Sequence, residues 1–521
     1  MSIDMAPVHT IGSRKWLALA ALTLGVLAVG LDATVLSVAL PTLAVALHST
    51  ESDLQWYTSG YALALAAGML PAGLLGDRFG RRRVLVAGLV LFGAGSIACA
   101  YSPSPGVFIT ARVVLGLAGA AVAVMALSAV AVVFTEQERP RAVGVWAAAN
   151  FLALPIGPIV GGWLLVNYWW GWVFLMNVPV AVIGIAAVLT LLPESRAEHR
   201  PHLDPIGVLT SAGGLVAWTY GLIEAGQNGW TDPSTLLPMA AGVVLVAAFL
   251  LWERRLSGRP GGQPMVDLSL FRSAEFTWGT LLAALGIVGM FGVLFTLPQY
   301  FQGVAGLDAQ GSGLRLLPII AGMLVGAVPA DRVAARVGPK VTVALGFALQ
   351  AGAMLAGSTM TVDSGTGFVA AWTAAAGAGT GLALSTAASA ALGQISAERS
   401  GVATAVMQAF QKGGAPFGAA ILGSALSSAY RSQLPLPGLP GAAANVVHQS
   451  LFGGIAIAQR LHSPALLQTV REAFVHGMAV ALLVAAGVAI VSMVLALAFL
   501  PGRRSAAAPA ARGLPSGDPV A

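Results

Sequence analysis

Charged residues are scarce in this chain of 521 amino acids: only 9% are Asp, Glu, Lys or Arg, whereas 57% are hydrophobic. A soluble domain usually carries about 25% charged residues, so the composition excludes an ordinary soluble protein and indicates a chain embedded in lipid. Cysteine is scarcer still, because Cys99 is the only one, and this excludes an intrachain disulfide framework. The net charge of +6 is spread over loops, which argues against a nucleic-acid partner.

Long apolar runs are abundant instead. A run of about 20 apolar residues is long enough to cross a bilayer as a helix. The sequence contains fourteen such runs, so we predict an all-α integral membrane protein. The approximate limits of the spans are 16–40, 54–76, 84–101, 107–133, 141–166, 172–192, 205–225, 235–252, 276–300, 313–334, 341–360, 367–394, 400–427 and 476–500.

The distribution of charge predicts the orientation of these spans. Every second loop is basic, and the loops between them are acidic or neutral. Because cytoplasmic loops carry the excess of Lys and Arg, we expect both termini to be cytoplasmic. The first apolar run is longer than the core of a cleavable signal peptide, so we expect it to remain as an anchor.

The loop at 72–83 combines glycines with a dense group of charges. Gly73 permits close helix approach, Gly80 permits a sharp turn, and Asp77 can cap a neighbouring helix. A looser copy of this loop, with Asp-Arg followed by Gly and a basic residue, occurs at 329–340. A weak internal repeat is typical of transporters built from two six-helix halves. The arginines that hold the first loop in the cytoplasm are Arg78, Arg81 and Arg82.

The repeat also predicts the domain organisation. For the two loops to fall in register, spans 1–6 and 9–14 must be the halves, and spans 7 and 8 an insertion. The N-terminal half then covers 1–195, the insertion with its linkers 196–272, and the C-terminal half 273–502. Residues 428–475 form an extracellular segment, either a flexible loop or a hairpin at the outer mouth. The Ala-, Pro- and Gly-rich tail at 503–521 is expected to be disordered.

Several motifs resemble those of the major facilitator superfamily of transporters. The loop at 73–82 is similar to its helix 2–3 signature, and 157–162 is similar to its antiporter signature in span 5. The fourteen-span arrangement resembles the drug:proton antiporter family of the EmrB/QacA type. This resemblance implies the major facilitator fold and export driven by protons. Further matches lie at 31–41, 112–121, 172–179, 203–205 and 220–224, and the departures from the family pattern are Ser37, Leu115 and Gly171.

Asp32 is the main candidate for proton coupling. It lies about 24 Å along a helix from Trp16, inside the first apolar run. An ionised carboxylate is costly there, so it should face a wet cavity, pair with a cation or hold a proton. The alternative is a structural carboxylate bonded to neighbouring hydroxyls such as that of Thr34. Glu224, at the end of span 7, is either a second proton or cation site or a solvated residue at the membrane surface.

Arg112 lies inside span 4, where a charged side chain should point into protein or a cavity. The family resemblance implies that Arg112 assists proton transfer by biasing a nearby carboxylate. The alternative is a purely structural ion pair or carbonyl contact.

Two groups of residues predict a conformational switch. Gly157, Pro158, Gly161 and Gly162 form a small-residue face with a kink in span 5, and we expect it to meet Gly322 and Gly326 of span 10 across the two halves. Ordinary helix packing is the alternative. We also expect Asp77 to cap span 13 near Ser400 and to connect through Arg81 to Glu136.

The substrate cavity should be mostly apolar and aromatic, which suits bulky lipophilic or cationic compounds. Many aromatic residues near span ends are interface anchors instead. The candidate cavity residues are Trp56, Tyr57, Tyr61, Trp146, Asn150, Trp218, Phe295, Gln299, Tyr300, Gln408, Gln411 and Lys412.

These features favour a proton-coupled exporter of drugs in a bacterial cell membrane, acting as a monomer on a small-molecule substrate and without a cofactor. A dedicated exporter of one endogenous metabolite or antibiotic, or an importer, is the alternative within transport. A membrane-embedded enzyme is disfavoured, since the sequence shows no metal-ligand spacing and no nucleophile–base pair. A nucleotide-driven pump is disfavoured because there is no Gly-x-x-x-x-Gly-Lys-Ser/Thr loop.

Overall fold

The computed structural model describes residues 12–135, 137–196, 204–259, 264–393, 395, 400–436 and 439–502. This part of the chain consists of helices and short connections and contains no strand. The termini at 1–11 and 503–521 lie outside the described residues, as does Glu136.

The described residues of the predicted N-terminal half (1–195) contain seven helices, in which α6 and α7 together make one crossing. The first helix is 35 residues long, and it continues through Pro41. The helices are α1 (Gly12–Ala46), α2 (Glu51–Phe79), α3 (Arg81–Ala100), α4 (Pro105–Val133), α5 (Arg139–Asn167), α6 (Trp172–Leu175) and α7 (Asn177–Leu191).

The two helices of the predicted insertion are α8 (Pro205–Asn228) and α9 (Pro233–Ser257), and a 3-10 helix (Leu268–Arg272) leads into the predicted C-terminal half. In that half, α10 continues into a π-helical turn (Tyr300–Val304), and α11 continues into α12. The helices are α10 (Ala274–Gln299), α11 (Ala309–Leu314), α12 (Leu317–Ala327), α13 (Ala330–Val337), α14 (Pro339–Gly357), α15 (Thr366–Leu392), α16 (Ser400–Ser432), α17 (Gly441–Gln449), α18 (Leu451–Arg460) and α19 (Pro464–Phe499).

Among the described residues, 13 helical segments are long and apolar enough to cross a membrane. They correspond to the predicted spans except the one at 400–427, where α16 has the length of a span, 33 residues, but is less apolar. Several helices extend beyond the approximate bounds of the predicted spans, among them α1, which ends at Ala46, and α9, which ends at Ser257. The tenth crossing is Ala309–Ala327, α16 extends to Ser432, and α19 already begins at Pro464.

Glycines bring α12 and α15 into direct backbone contact. A Cβ at Gly322 would lie 2.0 Å from the carbonyl oxygen of Ala374, and one at Gly326 equally close to that of Ala378. Such contacts need glycine, because a side chain at these positions would keep the two helix backbones apart. The expectation that Gly322 and Gly326 face span 5 was therefore wrong, since they pack within the C-terminal half.

The inserted helices lie beside the seam between the two halves. Helix α8 packs against both α2 of the N-terminal half and α16 of the C-terminal half. A Cβ at Gly226 would lie 2.7 Å from Cα of Ser424, and the Ser424 hydroxyl donates to the carbonyl oxygen of Leu222. Helix α8 of the predicted insertion is thus packed into the helix bundle.

The segment 428–475 contains helix as well as connections. It includes the end of α16, the short helices α17 and α18, and the first turns of α19. Tyr430 Oη donates to the carbonyl oxygen of Val447 at 2.9 Å, which fastens α17 to α16. A Cβ at Gly303 would lie 2.4 Å from a methyl group of Leu451, so α18 packs tightly on the π-helical turn.

Replacement of Gly322 by Ala should destabilise the C-terminal half. The new methyl group would meet the Ala374 carbonyl, and overpacking of this kind costs about 1–3 kcal/mol. The matched control is Gly352→Ala in α14, where nothing lies within 4 Å, so the higher helix propensity of Ala should leave stability unchanged or raise it. Thermal unfolding in detergent should show a lower Tm for Gly322→Ala only. Equal Tm values for the two variants would contradict the packing described here.

Candidate functional site

Asp32 and Arg112 form a buried ion pair between α1 and α4. Their side chains are 0% and 1% exposed, and Arg112 Nη1 donates to Asp32 Oδ2. Each residue was predicted separately as a charge inside an apolar run, and the structure brings the two together. Ionisable residues at such depth mark functional sites more often than not.

The other polar atoms of this pair have partners as well. Arg112 Nε donates to the carbonyl oxygen of Tyr57 at 3.1 Å, and its guanidinium lies 4.2 Å from the ring centroid of Tyr61. Asn177 Nδ2 donates to Asp32 Oδ1 at 3.3 Å and to Ser96 Oγ at 3.3 Å. The surroundings therefore compensate both charges, as buried ion pairs require.

Thr34 does not hydrogen-bond to Asp32. Its hydroxyl instead donates to backbone carbonyls, including that of Ala153 in α5 at 3.0 Å. In the alternative interpretation, Asp32 is a structural carboxylate bonded to neighbouring hydroxyls, and Thr34 does not supply such a bond.

The pair can respond to a proton in one way. Arg112 stays charged at any accessible pH, whereas a carboxylate can accept a proton. A proton on Oδ2 of Asp32 would remove the attraction to Arg112. Arg112 would then keep the Tyr57 carbonyl and the Tyr61 ring as partners, and Asn177 would keep Oδ1.

Asn177 and Ser96 were not among the predicted site residues. Asn177 opens α7 within the stretch 172–179 that resembles a family motif, and both residues are at most 1% exposed. A lone Asn or Ser in an apolar run is a weak signal, since only the fold shows which polar group it meets.

Five of the predicted cavity residues do not face a cavity. None of them is more than 2% exposed, because they pack between helices. Two of them surround Arg112, and the others belong to the packing of α10 and the π-helical turn. These corrected residues are Tyr57, Tyr61, Phe295, Gln299 and Tyr300.

Trp56 and Trp218 have a different environment from the one predicted. Both pack on the small cluster of Leu222, Ile223 and Ala420, where α8 meets the two halves. They are partly buried and help to fix the inserted helices to the seam.

The remaining cavity candidates lie on α5 and α16. Lys412 is exposed although it lies about 18 Å along α16 from its first residue. An exposed cation at that depth would be costly in lipid, so it indicates a water-filled space. Of the other candidates, Asn150, Gln408 and Gln411 are partly exposed, and Trp146 is buried.

Glu224 lies in a polar group at the end of α8. Its Oε2 accepts a hydrogen bond from Asn228 Nδ2 at 2.8 Å, and Asn228 also donates to Ser234 at 3.0 Å. The side chain is intermediate in exposure and is not connected to Asp32 by these bonds. Its role as a second proton site stays a prediction.

The charged loop between α2 and α3 docks on the end of α7. Gly80 adopts a φ of +110°, which favours glycine and lets α3 begin directly after α2. Arg81 Nη2 pairs with Asp77 Oδ1 at 2.9 Å. Glu194, which was not predicted, accepts from the Arg82 amide at 3.1 Å, and Arg82 Nη2 donates to the Leu189 carbonyl at 2.6 Å.

The remaining calls on this loop have mixed outcomes. Arg78 lies over the ring of its neighbour Phe79 at 5.6 Å. Gly73 has room for a Cβ, with its nearest contact at 3.8 Å, so the close approach to α4 depends on Gly76 instead. The predicted connections to Glu136 and to the Ser400 side chain lie outside the described residues.

Lys15 and Glu138 form a second contact on the same side of the molecule. Lys15 Nζ lies 2.5 Å from Glu138 Oε1 and joins α1 to the start of α5. This hydrogen bond holds the pKa of the Glu138 carboxyl below its usual value. Such a partly exposed pair contributes little to stability, but it is a contact that a conformational change can break.

The glycines of span 5 serve two different contacts. A Cβ at Gly157 would lie 2.0 Å from Thr34 Oγ1, and one at Gly161 would lie 2.8 Å from Val35, so both pack on α1. Their predicted contact with span 10 was therefore wrong. A Cβ at Gly162, however, would lie 2.7 Å from the carbonyl oxygen of Ala309 in α11.

The contact between the halves is made by Pro158, Gly162 and α11. A Cβ at Gly313 would lie 2.2 Å from the carbonyl oxygen of Pro158. Nearby, Gln302 Nε2 donates to the carbonyl oxygen of Val38 at 2.9 Å. The two halves thus meet tightly on the side predicted to be extracellular. Spans 5 and 10 do meet, through the predicted Pro158 and Gly162 on span 5, but through Gly313 and the start of α11 in place of Gly322 and Gly326.

Residues 22–419 match the Major Facilitator Superfamily. Similar proteins include the tetracenomycin C resistance and export protein of Streptomyces glaucescens, 33% identical over 94% of this chain and 93% of the relative. The multidrug resistance protein Stp of Mycobacterium tuberculosis is 31% identical over 94% of this chain and 91% of its own. The multidrug efflux pump LfrA of Mycolicibacterium smegmatis is 31% identical over 91% and 94%.

Solved structures show the same fold at low sequence identity. An inward-facing bacterial homolog of the human lysosomal transporter Spinster aligns with a TM-score of 0.64 and 15% identity over 94% of this chain and 98% of that one. The xylose transporter XylE from E. coli aligns with a TM-score of 0.58 and 14% identity over 94% and 99%. The superfamily predicted from the motifs is thereby confirmed: the chain belongs to the Major Facilitator Superfamily and is a multi-pass membrane transporter, not an enzyme.

Proposed function

We propose that this transporter is a proton-coupled antiporter that exports lipophilic or cationic drugs by alternating access. It spans the bilayer fourteen times, with α16 as the crossing beyond the 13 most apolar segments, and has both termini in the cytoplasm. It belongs to the EmrB/QacA type, acts as a monomer and uses the proton gradient without a cofactor.

The observation that carries this proposal is the buried pair of Asp32 and Arg112. A structural role alone does not explain two buried charges in a bundle surrounded by lipid. Their desolvation costs free energy, and replacing such a pair by apolar residues is often neutral or stabilising. A carboxylate that alternates between a cation and a proton is the chemistry that antiport needs. Asp32 therefore carries the proton, and the positive charge of Arg112 favours the ionised form of Asp32 once the proton has left.

Alternating access is supported by the unequal ends of the seam. The predicted extracellular side is closed by glycine contacts between α5 and α11. Toward the other side, Lys412 is exposed within α16, as expected for a cavity open to the cytoplasm. Substrate enters this cavity, between α5 and α16, and leaves when the halves rock and the outer contacts separate.

Drug export is supported by the names of the relatives. They include a multidrug resistance protein, a multidrug efflux pump and a puromycin resistance protein. Export of a single endogenous antibiotic is a second candidate, because the tetracenomycin C protein is described by both resistance and export. A panel of unrelated lipophilic cations distinguishes the two: a multidrug exporter removes several of them, and a dedicated one removes none.

Replacement of Asp32 by Asn should abolish proton-driven export. Asn keeps the shape of the side chain but cannot exchange a proton. Cells that express the wild type should extrude a fluorescent lipophilic cation, and a proton uncoupler should stop this extrusion. The variant should show only the efflux of cells without the transporter.

Two controls accompany this test. Glu472→Gln removes an exposed carboxylate of α19 and should leave efflux unchanged. Because Asn leaves the Arg112 charge without its partner, binding of the fluorescent cation to purified Asp32→Asn should be measured to establish that the variant is folded. Normal uncoupler-sensitive efflux by Asp32→Asn would disprove the assignment of the proton site.

Replacement of Gly313 by Val should hold the outer side open. The larger side chain would collide with the Pro158 carbonyl only when the two halves are closed there. Gln302→Cys, in a Cys99→Ala background, reports on the seam through labelling by a membrane-impermeant maleimide added from outside. We expect faster labelling and loss of efflux in Gly313→Val.

Gly367→Val at the start of α15 is the matched control for Gly313→Val. Nothing lies within 4 Å of the Gly367 position, so labelling and efflux should stay at wild-type values. Unchanged labelling of the Gly313→Val variant would show that the contact between α5 and α11 does not open during transport.

A further inference from the structure

A second buried carboxylate, Glu51, lies on the seam and takes no part in the Asp32 site. It belongs to the first turn of α2 and is only 4% exposed, although the sequence presents it as part of an acidic loop. Gln299 Nε2 of α10 donates to Glu51 Oε1 at 3.2 Å. This hydrogen bond joins the N-terminal half to the C-terminal half.

Glu51 ends a polar stripe that follows the contact between α2 and α16. Gln55 and Ser59 lie one and two turns further along the same face of α2. Ser59 Oγ donates to the Pro416 carbonyl at 3.3 Å, and Gln55 packs so closely on Gly423 that a Cβ there would lie 2.7 Å from its amide carbon. The stripe thus lies entirely between the two halves.

The charged groups around Glu51 are largely occupied by other partners. Arg431 of α16 acts on Glu51 electrostatically, but it donates to the Gln227 carbonyl at 2.7 Å and to the Gln227 side chain. It forms no ion pair with Glu51 within 4.0 Å in the described part of the chain. On its own helix, Asp53 is held in the capping box with Thr50. The positive charge of Arg431 also disfavours a metal cation at this site.

Tyr430 is a further titratable group near Glu51 in the described part of the chain. It interacts with Glu51 through space, while its hydroxyl donates to the carbonyl oxygen of Val447 at 2.9 Å. Gln299 is therefore the one hydrogen-bond donor to the Glu51 side chain among the described residues.

The same region contains buried polar atoms without hydrogen-bond partners. Within the part of the chain that the structure describes, the Oε1 atoms of Gln55 and Gln299 are acceptors without a donor, and Gln55 Nε2 and Arg431 Nε are donors without an acceptor. A buried polar atom left unpaired costs about 1–3 kcal/mol. A protonated carboxyl group has a donor to offer, whereas an ionised one accepts only. A proton on Glu51 would therefore supply the kind of donor that the two amide oxygens, among them that of its own partner Gln299, lack.

We propose that Glu51 is a second proton-binding site, distinct from Asp32, and that its protonation holds the outer side of the transporter closed. This inference rests on the alternating access proposed above. When the outer side opens, α2 separates from α10 and α16, water reaches Glu51, and the proton leaves to the exterior. When the outer side closes, burial without an ion-pair partner favours the neutral carboxyl. External acid should thus favour closure.

The test measures the distance between the outer ends of the two halves as a function of pH. Spin labels are placed at Val107→Cys in α4 and Thr366→Cys in α15, both exposed, in a Cys99→Ala background. Double electron–electron resonance is recorded in nanodiscs without substrate between about pH 5 and pH 8.5, a range that brackets the titration of a buried carboxyl. The experiment is repeated with Asp32→Asn, so that titration at Asp32 does not contribute.

We expect the short-distance population to grow as the pH falls. In Glu51→Gln, which resembles the protonated side chain, this population should be independent of pH and equal to the low-pH value of the parent. Gln299→Leu removes the partner across the seam and should lower the short-distance population even in acid. Glu472→Gln, an exposed carboxylate, should respond to pH as the parent does.

A parent protein without pH response, or a Glu51→Gln variant that keeps the full response in the Asp32→Asn background, overturns the inference. A short-distance population unchanged by Gln299→Leu in acid overturns it as well. These outcomes are separate from the failure of proton-coupled export. A transporter whose uncoupler-sensitive efflux depends on Asp32, but whose distances ignore Glu51, refutes the second site alone.

Discussion

The ion pair of Asp32 and Arg112 is the constraint around which the N-terminal half is arranged. A carboxylate and a guanidinium that are 0% and 1% exposed need partners for every polar atom. Asn177, the Tyr57 carbonyl and the Tyr61 ring supply them, from α7 and α2. Four helices are thereby tied to one electrostatic centre, and a change of charge at Asp32 is felt by all of them.

Two kinds of contact form the seam between the halves, close glycine contacts and polar hydrogen bonds. Glycine contacts such as Gly313 on Pro158 are close but weakly directional, so they can separate as a unit. Polar contacts such as Gln302 with Val38 and Gln299 with Glu51 give the closed state a defined register. The inserted α8 packs on both α2 and α16, and therefore lies where movement of the halves must be accommodated.

The sequence predicts much of this architecture because the relevant signals are local. The lengths of the apolar runs predict the spans. Isolated charges such as Asp32 and Arg112 identify the site, although the sequence does not show that the two residues are in contact. The failures concern what depends on three-dimensional packing. Tyr57 and Tyr61 look like cavity residues but surround an arginine, and Glu51 looks like a loop residue but is buried. Which face a glycine or an aromatic side chain presents to which helix is set by the assembled bundle.

The most direct measurement of the central claim is proton release by the purified protein. In weakly buffered detergent solution with a pH-sensitive dye, addition of a lipophilic cation that the transporter binds should release protons from the wild type. Asp32→Asn should bind the same cation and release fewer protons, with the difference approaching one per bound cation. Equal proton release by the two proteins, or none from the wild type at any pH, would contradict the role assigned to the buried carboxyl of α1.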